Sequence, residues 1–214
     1  MSSPGETRSR IARDLRPVRP LWPPSRRVLG LVPIALVTLV AVPALHFYRS
    51  DLAALGIWRT WGLSLVESLA GLAVVALALQ ESIPGRALSV PAIVTTFLLG
   101  LATPFLILSV TAKSYTIGAP PGLEWSDGAA CFRISVSSAL PALLATAWLV
   151  ARAFPLRPGI AGALYGLGCG LVADAGMRLF CEFTVPSHFV PAHGGAIVAA
   201  IAAGCVLAQT LRGD

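Results

Sequence analysis

Six long apolar stretches, separated by short polar connections, make up most of this 214-residue chain. Each stretch approaches the ~20 residues that a helix needs to cross the hydrocarbon core of a bilayer. Backbone amides and carbonyls find no water there, so helices are expected throughout. The pattern therefore predicts an all-α membrane protein with six transmembrane helices. Their expected spans are Val28–Leu45, Trp61–Leu79, Leu88–Val110, Cys131–Phe154, Ile160–Phe180 and Pro191–Leu211.

The composition limits what else the chain contains. Only 12% of its residues are charged and its mean hydropathy is +0.77, whereas soluble domains average about 25% charged residues. The connections are too short to form a soluble catalytic domain of ordinary size. The chain also contains no nucleophile elbow, zinc-protease or P-loop motif. We therefore expect no enzymatic role.

Positive charge is concentrated at the N-terminus. Seven of the 16 basic residues precede residue 28, and all seven are arginines. Basic residues beside a first span keep that end of the chain in the cytosol. With this tail inside, eleven Lys and Arg residues fall on the inner side and five on the outer side. We therefore expect both termini to be cytosolic, with a basic tail over residues 1–27 and a six-helix domain over residues 28–211.

The arginine-rich tail also bears on partners. Its charge favours the anionic headgroups of a lipid bilayer. Direct nucleic-acid binding is the weaker interpretation, because the tail lacks interleaved aromatic residues and any reader motif. The tail is also too long, and Val42-Pro43-Ala44 too poor a cleavage site, for a typical signal peptide. We expect the first span to be retained.

Two cysteines lie where predicted spans leave the membrane on the outer side. Cys131 begins span four and Cys181 ends span five, so two antiparallel helices place them at similar depth. An oxidising compartment would permit a disulfide there, although sequence does not establish its geometry. With His188 and His193 as auxiliary ligands, the cysteines suit transient binding of a soft metal, but the spacing matches no zinc motif. From the residues alone, a structural role is as well supported as a sensing one.

Three charged residues lie within the predicted spans. Asp174 and Arg178 are four residues apart and share one face of span five, and Glu67 lies in the outer half of span two. Charges at this depth indicate either a functional site or an ion pair that packs helices together. We favour pairing, with Arg133 or Arg178 as the partner of Glu67, because no chain of titratable groups crosses the membrane.

Small residues recur every four positions in the last two spans. Gly162, Gly166 and Gly170 form such a strip on span five, and Gly195, Ala199 and Ala203 form one on span six. Strips of this kind let two membrane helices approach closely. The expected role is tight helix packing.

Short motifs follow one another along the chain in a distinctive order. The tail contains Asp14-Leu15-Arg16-Pro17-Val18-Arg19-Pro20-Leu21, a cysteine opens span four, and Pro155-Leu156-Arg157-Pro158 precedes the glycine-rich span five. That span ends in Phe180-Cys181-Glu182, and Ser187-His188-Phe189 follows. In this order and spacing, nearly the whole chain resembles the NrsF family. These are six-span negative regulators of extracytoplasmic-function sigma factors of the sigma F type.

The resemblance implies an anti-sigma factor of the bacterial inner membrane, which holds its sigma factor until a stress outside the cytosol is sensed. It also implies that Cys131 and Cys181 respond to heavy metals or oxidants. Because a sigma factor is soluble, the tail would have to supply most of the docking surface and fold on contact. The residues expected to bind the sigma factor are Asp14, Leu15, Arg16, Pro17, Val18 and Arg19.

Two other classes of protein remain open. A small transporter or metal-handling permease would use Glu67, Asp174 and Arg178 as an intramembrane site, but spans one to three show no convincing repeat in spans four to six. The third class is a structural membrane subunit with a different partner. In both cases the tail would be only a topology signal facing lipid.

Overall fold

The structure is a computed structural model that describes residues 3–14, 20–114 and 125–211. In these ranges the chain forms helices joined by short connections. In chain order they are α1 (Pro4–Asp14), α2 (Pro24–Leu29), α3 (Val32–His46), α4 (Leu52–Ile57), a π-helical turn (Trp58–Gly62), α5 (Leu63–Glu81), α6 (Val90–Ser114), α7 (Trp125–Ala151), α8 (Pro158–Met177), α9 (Pro186–Phe189), a second π-helical turn (Val190–Gly194) and α10 (Gly195–Thr210).

Six helical segments of the described chain are long and apolar enough to cross a membrane, as the hydropathy pattern predicts. They are Pro24–His46, Leu52–Glu81, Val90–Thr111, Gly128–Ala151, Pro158–Met177 and Pro186–Thr210. The largest difference from the expected boundaries is in span two, which begins at Leu52 rather than at Trp61. Polar Arg59 and Thr60 lower the hydropathy there, yet they lie in the π-helical turn that continues the helix. Gly56, with a φ of 76°, kinks the helix just before this turn.

Helix α8 occupies the centre of the bundle. It buries 89% of its most apolar stretch, whereas the other five segments bury 17–44% of theirs. Its main neighbours are α10, α5, α7 and α3. A helix enclosed on several sides needs small residues on more than one face, which explains why glycines are so frequent in α8.

One face of α8 packs closely against α10. A Cβ atom added at Gly162 would lie 2.5 Å from the carbonyl oxygen of Gly204, and one added at Gly166 would lie 2.4 Å from that of Ala200. The expected strip on span five is therefore used for packing. The strip expected on span six is not the one that meets it, because Ile197, Ala200 and Gly204 form the contact. The pattern of Gly195, Ala199 and Ala203 has the right period but lies on a neighbouring face of the helix.

A second pair of glycines joins the opposite face of α8 to α5. A Cβ atom at Gly168 would lie 2.5 Å from the carbonyl oxygen of Gly71, and one at Gly71 would lie 2.6 Å from that of Gly168. Neither residue belongs to the strips that the sequence indicates. Glycine on both faces lets two antiparallel helices lie against the same central helix.

The bundle has two chemically different ends. One, which we call the tail end, carries the start of α2, the last turns of α5 and α7, and the start of α8. The buried Glu81 side chain accepts hydrogen bonds from Arg157 at 2.7 and 2.8 Å, and from the Leu88 amide at 2.6 Å. This ion pair joins the two connections at that end of the bundle. The opposite end, which carries Cys131 and Cys181, is called the cysteine end.

Candidate thiol and metal-binding site

Three potential metal ligands meet at the cysteine end. Cys131 lies in the early turns of α7, Cys181 in the segment between α8 and α9, and His188 in the short helix α9. Each is more than nine-tenths buried. The two sulfur atoms and an imidazole nitrogen all lie within 4.8 Å of one another, and the Cys181 Sγ to His188 Nε2 distance is 3.3 Å. The fold therefore brings together the two predicted cysteines and one of the two predicted histidines.

Local structure determines where Cys181 lies. After α8 ends, the Cys181 amide donates a hydrogen bond to the Met177 carbonyl at 2.7 Å. The chain therefore completes one more turn beneath the Cys181 sulfur. Val42, Met177 and Ala192 surround the two cysteines with apolar groups. Such a lining excludes water and strengthens electrostatic interactions within the cluster.

The pKa of the Cys181 thiol is raised well above its ordinary value. The main cause is the hydrogen bond that it shares with Cys131, and burial adds to it. This thiol therefore retains its proton at neutral pH. A metal ion that binds here must displace that proton.

The geometry suits a soft cation. The cysteines among the described residues are free thiols. Ligand atoms around one tetrahedral zinc ion lie about 3.5–3.8 Å apart, given the usual zinc–sulfur and zinc–nitrogen distances. Because the three atoms lie within 4.8 Å of one another, shifts of about 1 Å or less would place two sulfurs and one nitrogen around a metal. Thiolate and imidazole donors select soft or borderline metals rather than magnesium or calcium.

His193 lies beside this cluster but is directed toward the bundle interior. Its ring stacks on Phe189 with centroids 4.9 Å apart, and it meets the His188 ring edge-on at 5.8 Å. Its Nδ1 atom lies 2.6 Å from Oδ1 of Asp174 on α8. His193 is therefore placed between the metal-ligand candidates and a buried carboxylate, rather than among the ligands.

The intramembrane charges pair differently from what their spacing suggests. Asp174 meets His193 in the second π-helical turn. Arg178 instead reaches α5, where the Arg178 Nε atom lies 3.4 Å from Oε2 of Glu67. Of the two partners considered for Glu67, the structure selects Arg178. Arg178 also donates to the Thr111 hydroxyl at 3.2 Å. These contacts connect α5, α6, α8 and the second π-helical turn through buried polar groups.

A second pair of charges closes the end of α8. Arg49 donates its backbone amide to the Leu179 carbonyl and its side chain to the Arg178 carbonyl, both at 3.1 Å. Asp51 holds the Arg49 guanidinium through two hydrogen bonds, at 2.5 and 2.8 Å. A cation at a helix C-terminus satisfies the last carbonyls and interacts favourably with the helix dipole. Sequence reasoning missed this role because Arg49 and Asp51 lie in the connection between the first two predicted spans, where hydropathy carries no information on contacts. The only sign of this role in the sequence is that Arg49 and Asp51 lie two residues apart, just after a predicted span.

The match to a family model decides what the protein is related to. The model described as "Negative regulator of sigma F" matches residues 11–212, nearly the whole chain. The chain belongs to the NrsF family. No curated protein and no solved structure matches it.

The part of this NrsF protein that was expected to bind the sigma factor lies only partly within the described residues. Asp14 is the last residue of the exposed helix α1, while Leu15, Arg16, Pro17, Val18 and Arg19 lie outside the described ranges. Helix α1 begins with a capping box, in which Ser3 and Glu6 each accept the other's amide hydrogen through their side chains. These two contacts stabilise the first turn of α1.

Proposed function

We propose that this NrsF-family protein is an integral anti-sigma factor of the bacterial inner membrane. It sequesters an extracytoplasmic-function sigma factor of the sigma F type and releases it when heavy metal or oxidant acts on Cys131 and Cys181. The observation that carries the proposal is the buried cluster of two free thiols and one imidazole, within 4.8 Å of one another, in a family of sigma factor regulators. The proposal includes no enzymatic step on a substrate, no resident cofactor and no direct contact with nucleic acid.

The orientation follows from charge. The arginines of the tail favour a cytosolic position for both termini. In that orientation the cysteine end faces the compartment outside the cytosol, where metals and oxidants arrive first. The tail end then faces the cytosol, where a sigma factor is available to helix α1 and the residues that follow it.

Two kinds of stimulus act on the same cluster. A soft metal ion displaces the Cys181 proton and draws both sulfurs and the His188 nitrogen toward one centre. A two-electron oxidant such as a peroxide instead removes one electron and one proton from each thiol, and a sulfur–sulfur bond forms. Either event shortens the distance between the start of α7 and the segment that follows α8.

A route from the cluster into the bundle runs through α9 and the second π-helical turn. His188 and His193 are in ring contact, and His193 is bound to Asp174 on the central helix α8. At the other end of α8, Arg157 precedes the first helical residue and holds Glu81. A movement of α8 would therefore displace the connections at the tail end that Arg157 and Glu81 join. It changes sigma factor affinity only to the extent that the stimulus binds the two states of the bundle differently.

The first test replaces both sensing cysteines with serine in the cell that encodes the protein. We expect Cys131→Ser with Cys181→Ser to keep sigma factor targets repressed under cadmium or peroxide. The matched control is Cys205→Ser, which lies on α10 near Gly159 and away from the cluster. Normal induction in the double variant would disprove the thiol mechanism.

A second test addresses sequestration itself. The solubilised full-length protein should retain the sigma factor encoded beside it, and a chain lacking residues 2–24 should not. Loss of retention on adding cadmium, with the Cys205→Ser variant behaving like the unmodified chain, would support release by the cluster. Equal retention by both chains would place the docking surface elsewhere.

The runner-up is a small transporter or metal-handling permease that uses Glu67, Asp174 and Arg178. Each of these residues is engaged by a neighbouring helix. Pairing of this kind supports a structural role in the bundle. A sigma factor that fails to bind under any condition would return attention to these three residues as a transport site.

A further inference from the structure

A cavity of about 520 Å³ opens at the tail end, between the start of span one and the end of span four. Its lining has two distinct parts. Three arginines line one part: Arg26, Arg27 and Arg152. The other part is apolar and includes Leu31, Ile34 and Leu149. Among the described residues that line this cavity, none is acidic.

Arg27 carries the strongest indication that an anion belongs here. The residue is 6% exposed, although it bears a full positive charge. Its Nη2 atom donates to the Leu149 carbonyl, while Nη1 has no hydrogen-bond partner among the described residues. Burying a charge without a counter-charge is costly unless a ligand or another group supplies one.

Arg152 adds a second positive charge to the same cavity. Its guanidinium lies 4.7 Å from the centre of the Trp148 ring, and the residue is exposed. The charges of Arg27 and Arg152 repel each other. An anion between two guanidinium groups removes this repulsion, and a phosphate oxygen accepts bidentate hydrogen bonds from arginine.

The apolar part identifies which kind of anion fits. Leu31, Ile34 and Leu149 belong to segments that are apolar enough to cross the bilayer, so this wall lies at membrane depth. Trp22 and Trp148 line the cavity and are largely exposed. Tryptophans of this kind are enriched where the hydrocarbon meets the headgroups. A free phosphate or an acidic peptide would leave the apolar wall unfilled, whereas an acyl chain would cover it.

We propose that this cavity binds an anionic phospholipid from the leaflet at the tail end. The phosphate lies between Arg27 and Arg152, and an acyl chain runs along Leu31, Ile34 and Leu149. Arg26 adds positive charge at the mouth of the cavity. This is a defined lipid site within the bundle, distinct from general attraction of the arginine-rich tail to a charged membrane, and it does not depend on the proposed sigma factor binding.

The test measures lipid retained by the purified full-length protein. The protein is incorporated into phosphatidylcholine nanodiscs containing a minor fraction of phosphatidylglycerol, extracted into detergent, and analysed by native mass spectrometry. The unmodified chain should retain one phosphatidylglycerol in preference to phosphatidylcholine. Arg152→Gln should reduce this retention by about tenfold or more, because a charged hydrogen bond contributes on the order of a factor of ten or above.

Arg86→Gln is the matched control. Arg86 is exposed, belongs to a connection at the tail end and does not line the cavity, so its replacement removes the same charge from the same end. Arg27→Gln should reduce retention at least as far as Arg152→Gln. Arg152 is exposed, so its replacement should not prevent folding. The Arg152→Gln variant therefore tests the proposal even if the Arg27→Gln variant fails to fold.

Three outcomes would overturn the proposal. An equal loss in the Arg86→Gln and Arg152→Gln variants would indicate general charge attraction. Displacement of the retained lipid by inorganic phosphate at similar concentration would indicate a site for free anions. Unchanged lipid retention in the Arg152→Gln variant, combined with weaker sigma factor capture, would assign the cavity to the protein partner instead.

Discussion

Replacement of Gly166 by alanine tests whether α8 is the packed centre on which the bundle depends. A Cβ atom at this position would lie 2.4 Å from the Ala200 carbonyl oxygen and 2.6 Å from the Ile201 Cα atom. Both are backbone atoms of α10 and cannot rotate away. Ordinary contacts of this kind begin near 3.4 Å, so α8 and α10 would have to separate by about 1 Å, since packed interiors leave no such space.

Overpacking of this kind typically costs about 1–3 kcal/mol. Alanine recovers up to about 1 kcal/mol through its better helix propensity. Separation of the helices also weakens the hydrogen bond from the buried Tyr165 hydroxyl to the Gly204 carbonyl, at 2.8 Å, which contributes about 1 kcal/mol. The expected net loss of unfolding free energy for Gly166→Ala is therefore about 1–3 kcal/mol.

The assay is reversible unfolding in detergent micelles followed by tryptophan fluorescence, or by thermal unfolding where reversibility fails. Gly128→Ala is the control, because a Cβ atom there has no heavy atom within 4 Å. Gly128 also lies inside a helix, α7, so the substitution should be neutral or slightly stabilising. Equal stability of the Gly166→Ala and Gly128→Ala variants would refute the close packing of α8 on α10.

Two further predictions concern the two ends of the bundle. Because the raised pKa of Cys181 keeps that thiol protonated at neutral pH, cadmium binding should tighten with increasing pH, by about tenfold per pH unit for this proton. Calorimetric titrations at several pH values measure this, and an affinity independent of pH would contradict it. Arg157→Gln should destabilise the fold by about 1–3 kcal/mol, because the buried Glu81 loses a charged partner. Arg86→Gln, at an exposed position of the same end, should leave stability within about 0.5 kcal/mol of the unmodified chain, and equal effects would rule out the ion pair.

Hydropathy is sufficient to locate the spans because membrane insertion depends on the local apolar content of about 20 residues. It does not locate their ends equally well. Span two begins at Leu52 because a π-helical turn accommodates Arg59 and Thr60, and a local sum of hydropathy penalises both residues. The Thr60 hydroxyl donates to the Gly56 carbonyl at 2.9 Å, a local contact that a sum of hydropathy does not include.

Periodicity indicates that small residues share a face but not which face meets another helix. Gly162 and Gly166 have the predicted role, while their partners on α10 are Ala200 and Gly204 rather than the expected strip. Alanine-rich helices present small residues on several faces, so the register of contact is decided when all neighbours pack at once. The pair of Gly71 and Gly168 was not predicted for the same reason, since Gly71 is a single glycine in α5 and Gly168 lies off the four-residue strip of α8.

The candidate site was likewise predictable from sequence only in part. From the residue types, their order and the family resemblance, the sequence predicts Cys131, Cys181, His188 and His193 as candidates for thiol or metal chemistry, and the family match confirms the resemblance. That the three ligand atoms lie within 4.8 Å depends on where α7, the end of α8 and α9 meet. Likewise, only the tertiary structure assigns Asp174 to His193.

By itself the sequence determined the class of the protein, its six membrane-crossing segments, its family and the residues capable of thiol or metal chemistry. All of these follow from local composition and from the order of residues along the chain. Tertiary structure decided the central position of α8, the partners of the buried charges and the arginine-lined cavity at the tail end. Those properties depend on contacts between residues far apart in the chain, such as Arg27 with Leu149, which the close packing of the whole bundle selects.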